Sequence, residues 1–162
     1  MPLSRSTLAN ALQRVFDASP ATAADAAAQW ANAYAGYAGG AISSASSLPV
    51  NAAANSAILL GGFQGGLAAF TPMSAGALVA WGIITFWQAI VWVGPTASGA
   101  TAFPGNAGLA PALAAIFADL SRKSPQDKAN DLADVFDAGA KTVIVMDVPF
   151  VQPAPPIVGP IQ

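Results

Sequence analysis

The sequence predicts a mainly α-helical protein: an Ala-rich bundle of about six helices, with a C-terminal β-strand and an extended Pro-rich arm. Three observations carry that prediction. Alanine, the strongest helix former, supplies about a quarter of the 162 residues. Apolar side chains recur at helical spacing through most of the chain. Ser or Thr followed by Pro, a good pairing for the N-cap and first position of a helix, occurs at Ser19-Pro20, Thr71-Pro72 and Ser124-Pro125.

Taken in order, Ser6 or Thr7 is placed to cap a first helix whose Leu8, Leu12, Val15 and Phe16 share one face, ending near Ala18. Ser19-Pro20 opens a second, with Ala27, Trp30, Tyr34 and Tyr37 on one stripe and Gly39-Gly40 as its stop. Ser43 to Pro49 reads as a loop of small residues, after which Asn51 or Asn55 caps a third helix carrying Ile58, Leu59, Phe63, Leu67 and Phe70. Its Gly61, Gly62, Gly65 and Gly66 each cost about 1 kcal/mol relative to Ala, which implies that another backbone lies close. Thr71-Pro72 opens the fourth, Met73 to Val93, apolar on every side; such a helix belongs in a core, an interface or a membrane. Gly94-Pro95 ends it, and Pro95 to Gly108 reads as a neutral loop.

Leu109, Leu113, Ile116, Phe117 and Leu120 make a fifth helix. Ser124-Pro125-Gln126-Asp127 opens the sixth with a near capping box, and Leu132, Val135 and Phe136 face inward. Thr142 to Val148 is β-like, and Pro149 to Gln162 is the Pro-rich apolar tail. The organisation expected is one helical domain over 1–141 with the strand and arm over 142–162. Leu8-Ala9-Asn10-Ala11-Leu12 echoes Leu109-Ala110-Pro111-Ala112-Leu113, Val15-Phe16 echoes Ile116-Phe117, and both stretches reach a Ser-Pro. Two related helical hairpins around a neutral central pair would account for that echo.

Charge narrows the function. Only 9% of residues are charged, against about 25% in ordinary soluble domains. All eight acids are Asp, and nothing between Ala26 and Ala118 ionises at neutral pH. The expectation is that this uncharged middle is covered by neighbours in an assembly. With no His, Cys or Glu in the chain, the common metal ligands and the imidazole and thiolate catalysts are missing, so no catalytic residue, metal site or cofactor is predicted. The serines Ser43, Ser44, Ser46 and Ser47 have no adjacent base. Gly61 to Gly66 lacks the Gly-Lys-Ser/Thr ending of a phosphate loop. Asp127, Asp131, Asp134 and Asp137 read as the wet face opposite Leu132 and Phe136. A net charge of −2, with only Arg122, Lys123 and Lys128 clustered, does not suit direct nucleic-acid binding. The N-terminus reads as lacking a secretory signal.

Met73 to Gly94 has about the length needed to cross a bilayer, and a small membrane protein of the holin kind is the competing reading. Against it, no Lys or Arg flanks the segment, and Trp81, Trp87 and Trp92 do not form two interfacial belts. The C-terminus points instead to protein partners. Thr142 to Val148 has no convincing strand partner in the chain, and a lone ladder is unpaired, so it is expected to add to a sheet edge in another subunit. Prolines between apolar residues in the tail suit an arm lying on a neighbour. The candidate subunit-interface residues are Trp87 and Trp92 as anchors, Val143 and Val145 on the strand, and Phe150, Val151, Ile157, Val158 and Ile161 on the arm.

The order of features resembles that of small structural proteins of tailed bacteriophages: Trp30-Ala31-Asn32-Ala33-Tyr34-Ala35-Gly36-Tyr37 in the Ala-rich opening, the central Thr85-Phe86-Trp87, the Gly-rich loop before Leu109-Ala110-Pro111-Ala112-Leu113, and the closing Pro155-Pro156-Ile157-Val158-Gly159-Pro160-Ile161. The resemblance spans nearly the whole chain and brings no catalytic signature. It implies a non-enzymatic virion component of the tail, baseplate or neck, assembled in the bacterial host cytoplasm, with other virion proteins and copies of itself as partners.

Overall fold

The computed structural model describes residues 3–102, 107–151 and 155–162. Pro153 of the tail, residues 103–106 of the Gly-rich loop and the first two residues lie outside them. Among the described residues six α-helices dominate: α1 (Arg5–Ala18), α2 (Ala23–Ala38), α3 (Ser56–Leu67), α4 (Pro72–Gln88), α5 (Leu109–Asp119) and α6 (Pro125–Ala140). Each packs on the next in the chain, and α6 returns to α1, so the packing closes into a ring.

Local chemistry explains most helix ends. Thr71 and Ser124 cap α4 and α6, each accepting from the N–H three residues on, with Pro in the first turn. Two starts differ from the sequence expectation. The cap of α1 is Ser4, whose hydroxyl accepts from Thr7 N–H, not Ser6 or Thr7. Ser19 does not open α2; it closes α1 in the left-handed region at φ 47°. Thr22 caps α2 and is bonded reciprocally to Asp25, N–H to Oγ1 at 3.0 Å and hydroxyl to carboxylate at 2.7 Å. A charged partner three residues on outweighs the Ser-Pro signal. Asn55 precedes α3 without capping it through its side chain. Asn51 and Asn55 instead both donate to the Ala89 carbonyl at 2.9 Å, and Asn51 Oδ1 accepts from Val91 N–H at 2.8 Å. They satisfy the end of α4, where the chain leaves the helix.

The glycines of α3 divide by face. A Cβ on Gly62 would stand 2.6 Å from the Gly82 Cα, and one on Gly66 would strike Val79. These two let α3 and α4 approach backbone to backbone, whereas Gly61 meets nothing within 4 Å and Gly65 makes only ordinary contact. Gly76 does the same for α4 on α5, where a Cβ would be 2.5 Å from the Ala110 carbonyl oxygen. Inside the ring Tyr34, fully buried, is the aromatic hub, with Phe136, Phe86, Tyr37, Trp87 and Phe63 rings around it at 5.3 to 6.5 Å.

The C-terminal strand finds its partners within the chain, which corrects the expectation of a lone strand. An antiparallel sheet runs in the order β1 (Leu48–Pro49), β2 (Trp92–Val93), β3 (Ala97–Ala102), β4 (Ile144–Pro149), β5 (Ile157–Pro160). The loop expected over Pro95 to Gly108 thus contains β3, which pairs with β4 from Ala97↔Pro149 to Ala102↔Ile144. The arm expected to leave the chain folds back as β5, from Ile144↔Pro160 to Asp147↔Ile157. Gln162 then exchanges two backbone hydrogen bonds with Ile42, covering part of the outer edge of β5. Strands from both sides of the 141/142 boundary therefore share one sheet. The helix expected to run to Val93 ends at Gln88, and Trp92 and Val93 enter the sheet.

Candidate functional site

The nine candidate interface residues separate by burial. Trp87, Trp92, Val143 and Val145 have no exposure and Ile161 has 3%, so these five belong to the chain's own core, a correction for each as a contact to a neighbour. The reason is geometric: the inner face of the sheet closes over one end of the helix ring. Trp92 stacks on Trp87 with centroids 6.2 Å apart and planes 6° from parallel. The Trp87 indole donates to the Tyr34 hydroxyl at 2.8 Å, and that of Trp92 to Thr101 at 2.7 Å. Burial of polar tips is tolerable only when they are paired in this way. Phe150, Val151, Ile157 and Val158 stay exposed.

Beneath the sheet lies a buried polar cluster that the sequence reading did not single out. Asp147, on the inner face of β4, is fully buried and accepts from the Ser47 hydroxyl at 2.7 Å, while its other carboxylate oxygen has no hydrogen-bond partner among the described residues. Ser43 in turn accepts from Ser47 N–H at 2.9 Å, which holds the loop in place. Gly99 opposite makes the room, since a Cβ there would be 2.7 Å from Asp147 Oδ1. The arrangement ties the Ser43–Ser47 loop to the sheet. Ser43, Ser47 and Asp147 are all buried, so none of them presents its hydroxyl or carboxylate to solvent.

The aspartates of α6 are each engaged separately. Asp127 accepts from Ser124, Asp131 from Lys123 and Asp134 from Arg5. Asp137, expected on the wet face, is 7% exposed. It accepts from the Tyr37 hydroxyl and from Lys141, both at 2.7 Å, so its position is decided by those two partners. Hydrogen bonding to the Arg5 guanidinium holds the Asp134 carboxyl below its ordinary range. Burial pushes both Tyr34 and Tyr37 above theirs, and the hydrogen bond to Asp137 pushes Tyr37 further. Among the described residues no group of three potential acidic, His or Cys ligands gathers. A cleft of 210 Å³ beside α5 and α6, touched by Leu109, Ala112, Val135 and Thr142, is lined without an ionisable group.

What the molecule does present is apolar surface. On the α3–α4 side Phe70 is wholly exposed, and Met73 (71%), Trp81 (57%) and Leu78 (40%) extend along α4. On the sheet, alternation along β1 to β4 sends Trp92, Val145 and Asp147 inward and leaves Leu48, Val93, Met146 and Val148 outward, and with Val158 of β5 these are each 43 to 58% exposed. Single apolar residues are normal on a surface, but several exposed along one helix and several across one sheet suit contact sites. These surfaces are the candidate functional site. The all-apolar reading of the fourth helix signalled the first; nothing local signalled the second, because it exists only once five separated strands are aligned.

Comparison with known proteins adds no relative: no family model matches the chain, no curated protein is significantly similar to it, and no solved structure matches its fold.

Proposed function

We propose that the chain is a non-enzymatic structural subunit of a tailed-bacteriophage particle, in the tail, baseplate or neck, and that it assembles through neutral apolar surfaces. The observation that carries this reading is the exposed, uncharged face of α4 around Phe70, Met73 and Trp81, in a chain whose stretch from Ala26 to Ala118 has no residue charged at neutral pH. A large aromatic in such a patch is a natural anchor, since burying it removes apolar area worth about 25 cal/mol per Å². The resemblance in the order of sequence features to phage structural proteins is what suggests the biological setting. In this reading α1–α2 and α5–α6 are related hairpins flanking the central α3–α4 pair, and Phe150 and Val151 remain available to a neighbour although β5 is engaged within the chain.

The membrane-span alternative at Met73 to Gly94 is the less favoured reading. Among the described residues no helix is long and apolar enough to cross a membrane, because α4 stops at Gln88 and Trp92 is committed to the sheet. Cryo-EM of intact particles tests the proposal: density for this chain with Trp81 buried against another subunit is expected, and recovery of the chain only in host membranes would overturn it.

A further inference from the structure

The outer face of the sheet has relief. Along β3 the outward residues are Ser98, Ala100 and Ala102, all small, while along the adjacent β4 they include Met146 and Val148, both large; Ser98 pairs with Val148 and Ala100 with Met146. A trough therefore runs beside a ridge, one strand spacing of about 4.8 Å away. A two-fold axis lying in the plane of an interface, parallel to the strands and midway between β3 and β4, would set the ridge of one copy over the trough of the other, and the reverse. Self-complementarity of that kind is what an isologous contact requires.

From this relief we infer that two copies of the chain pair face to face through their sheets, Met146 and Val148 of each seated over Ser98, Ala100 and Ala102 of the other. Charge favours the same occupant. None of the outward residues of the five strands is ionisable, and the one charged residue on β4, Asp147, points inward. Identical faces with net charge of one sign would repel each other, whereas these do not. Leu48, Val93 and Val158 flank ridge and trough, and Val50 and Val91, bonded to each other beside them, are exposed as well, so the apolar face extends across all five strands. Two twisted sheets of the same hand stack about 10 Å apart with strands within ~30° of alignment, which brings Met146 within reach of the opposite trough.

This pairing rests on the reading of the chain as an assembly subunit and names one of its partners as itself. Sedimentation equilibrium on the full chain tests it, with folding followed by circular dichroism. The wild-type chain should be a dimer. Met146→Lys, which puts a charge on the ridge, and Ala100→Lys, which fills the trough, should each weaken dimerisation by at least about tenfold while remaining folded, since both positions face solvent in the single chain. Trp81→Lys, on the helical face, should leave the dimer intact. A monomer at every concentration up to millimolar, a dimer that survives both sheet substitutions, or one lost only in Trp81→Lys would overturn the inference. A chain that is monomeric yet found in particles would overturn it while leaving the assembly role standing.

Discussion

Ser47 and Asp147, 100 residues apart in sequence, meet beneath the sheet with 2.7 Å between hydroxyl and carboxylate. Among the described residues the second carboxylate oxygen has no partner, and Ser47 provides the only side-chain hydrogen bond to this fully buried acidic group. Ser47→Ala should therefore destabilise the fold by about 1–3 kcal/mol, read from the urea midpoint at unchanged slope. An unchanged midpoint would mean that Asp147 draws no support from this contact.

The glycines of α3 should respond in opposite directions. Gly62→Ala forces a methyl into the Gly82 backbone at 2.6 Å, an overpacking expected to cost about 1–3 kcal/mol or more. Gly61→Ala meets nothing within 4 Å and should stabilise by about 0.5–1 kcal/mol through helix propensity and a less disordered unfolded chain. Thermal denaturation of the two variants side by side checks both; equal shifts would contradict the close helix crossing.

Removing the last strand should damage the fold. Truncation after Pro156 uncovers the outer edge of β4 and removes Ile161, which is 3% exposed. Loss of Ile burial alone is worth about 1.5–3 kcal/mol, and the exposed strand edge invites aggregation. Light scattering and a melting curve of the truncated chain should show both effects. A soluble chain of wild-type stability would show β5 to be dispensable.

Tyr34→Phe deletes the acceptor of the Trp87 indole N–H in the core. The expected loss is about 1–3 kcal/mol, the desolvation penalty of a buried donor left unpaired. Near-ultraviolet circular dichroism should also change, because Trp87 and Trp92 are stacked and their geometry depends on that anchor.

Acid should weaken the contact between α1 and α6. Arg5 lowers the Asp134 pKa below its unfolded value, so its contribution is full above an unfolded carboxyl pKa of about 3.9 and is lost as pH falls through the lower folded value. The carboxylate is 63% exposed, so screening keeps the effect at no more than about 1 kcal/mol. Asp134→Asn should remove this share of the stability difference between pH 6 and pH 2, and added salt should shrink it.

Much of the helical architecture was legible in the sequence because its causes are local. Thr71 and Ser124 cap the helices they precede, the periodic apolar residues Leu8, Leu12, Leu113 and Leu132 are fully buried, and the helix-breaking Gly62 and Gly66 signalled a close backbone. The absence of charge from Ala26 to Ala118 is likewise a property of the sequence alone. The sheet was decided only by tertiary structure. Its β1 and β2 are two residues each, β3 is Ala-Ser-Gly-Ala-Thr-Ala, and β5 contains Gly and Pro, so none has the strand propensity to declare itself. They form because the strongly β-like Val143 to Val148 run must satisfy its backbone on both sides, and because Trp92, Val145 and Asp147 need one common inner face. That same alignment determines which of Trp87, Trp92, Met146 and Val148 meet solvent, and so where this chain can meet another.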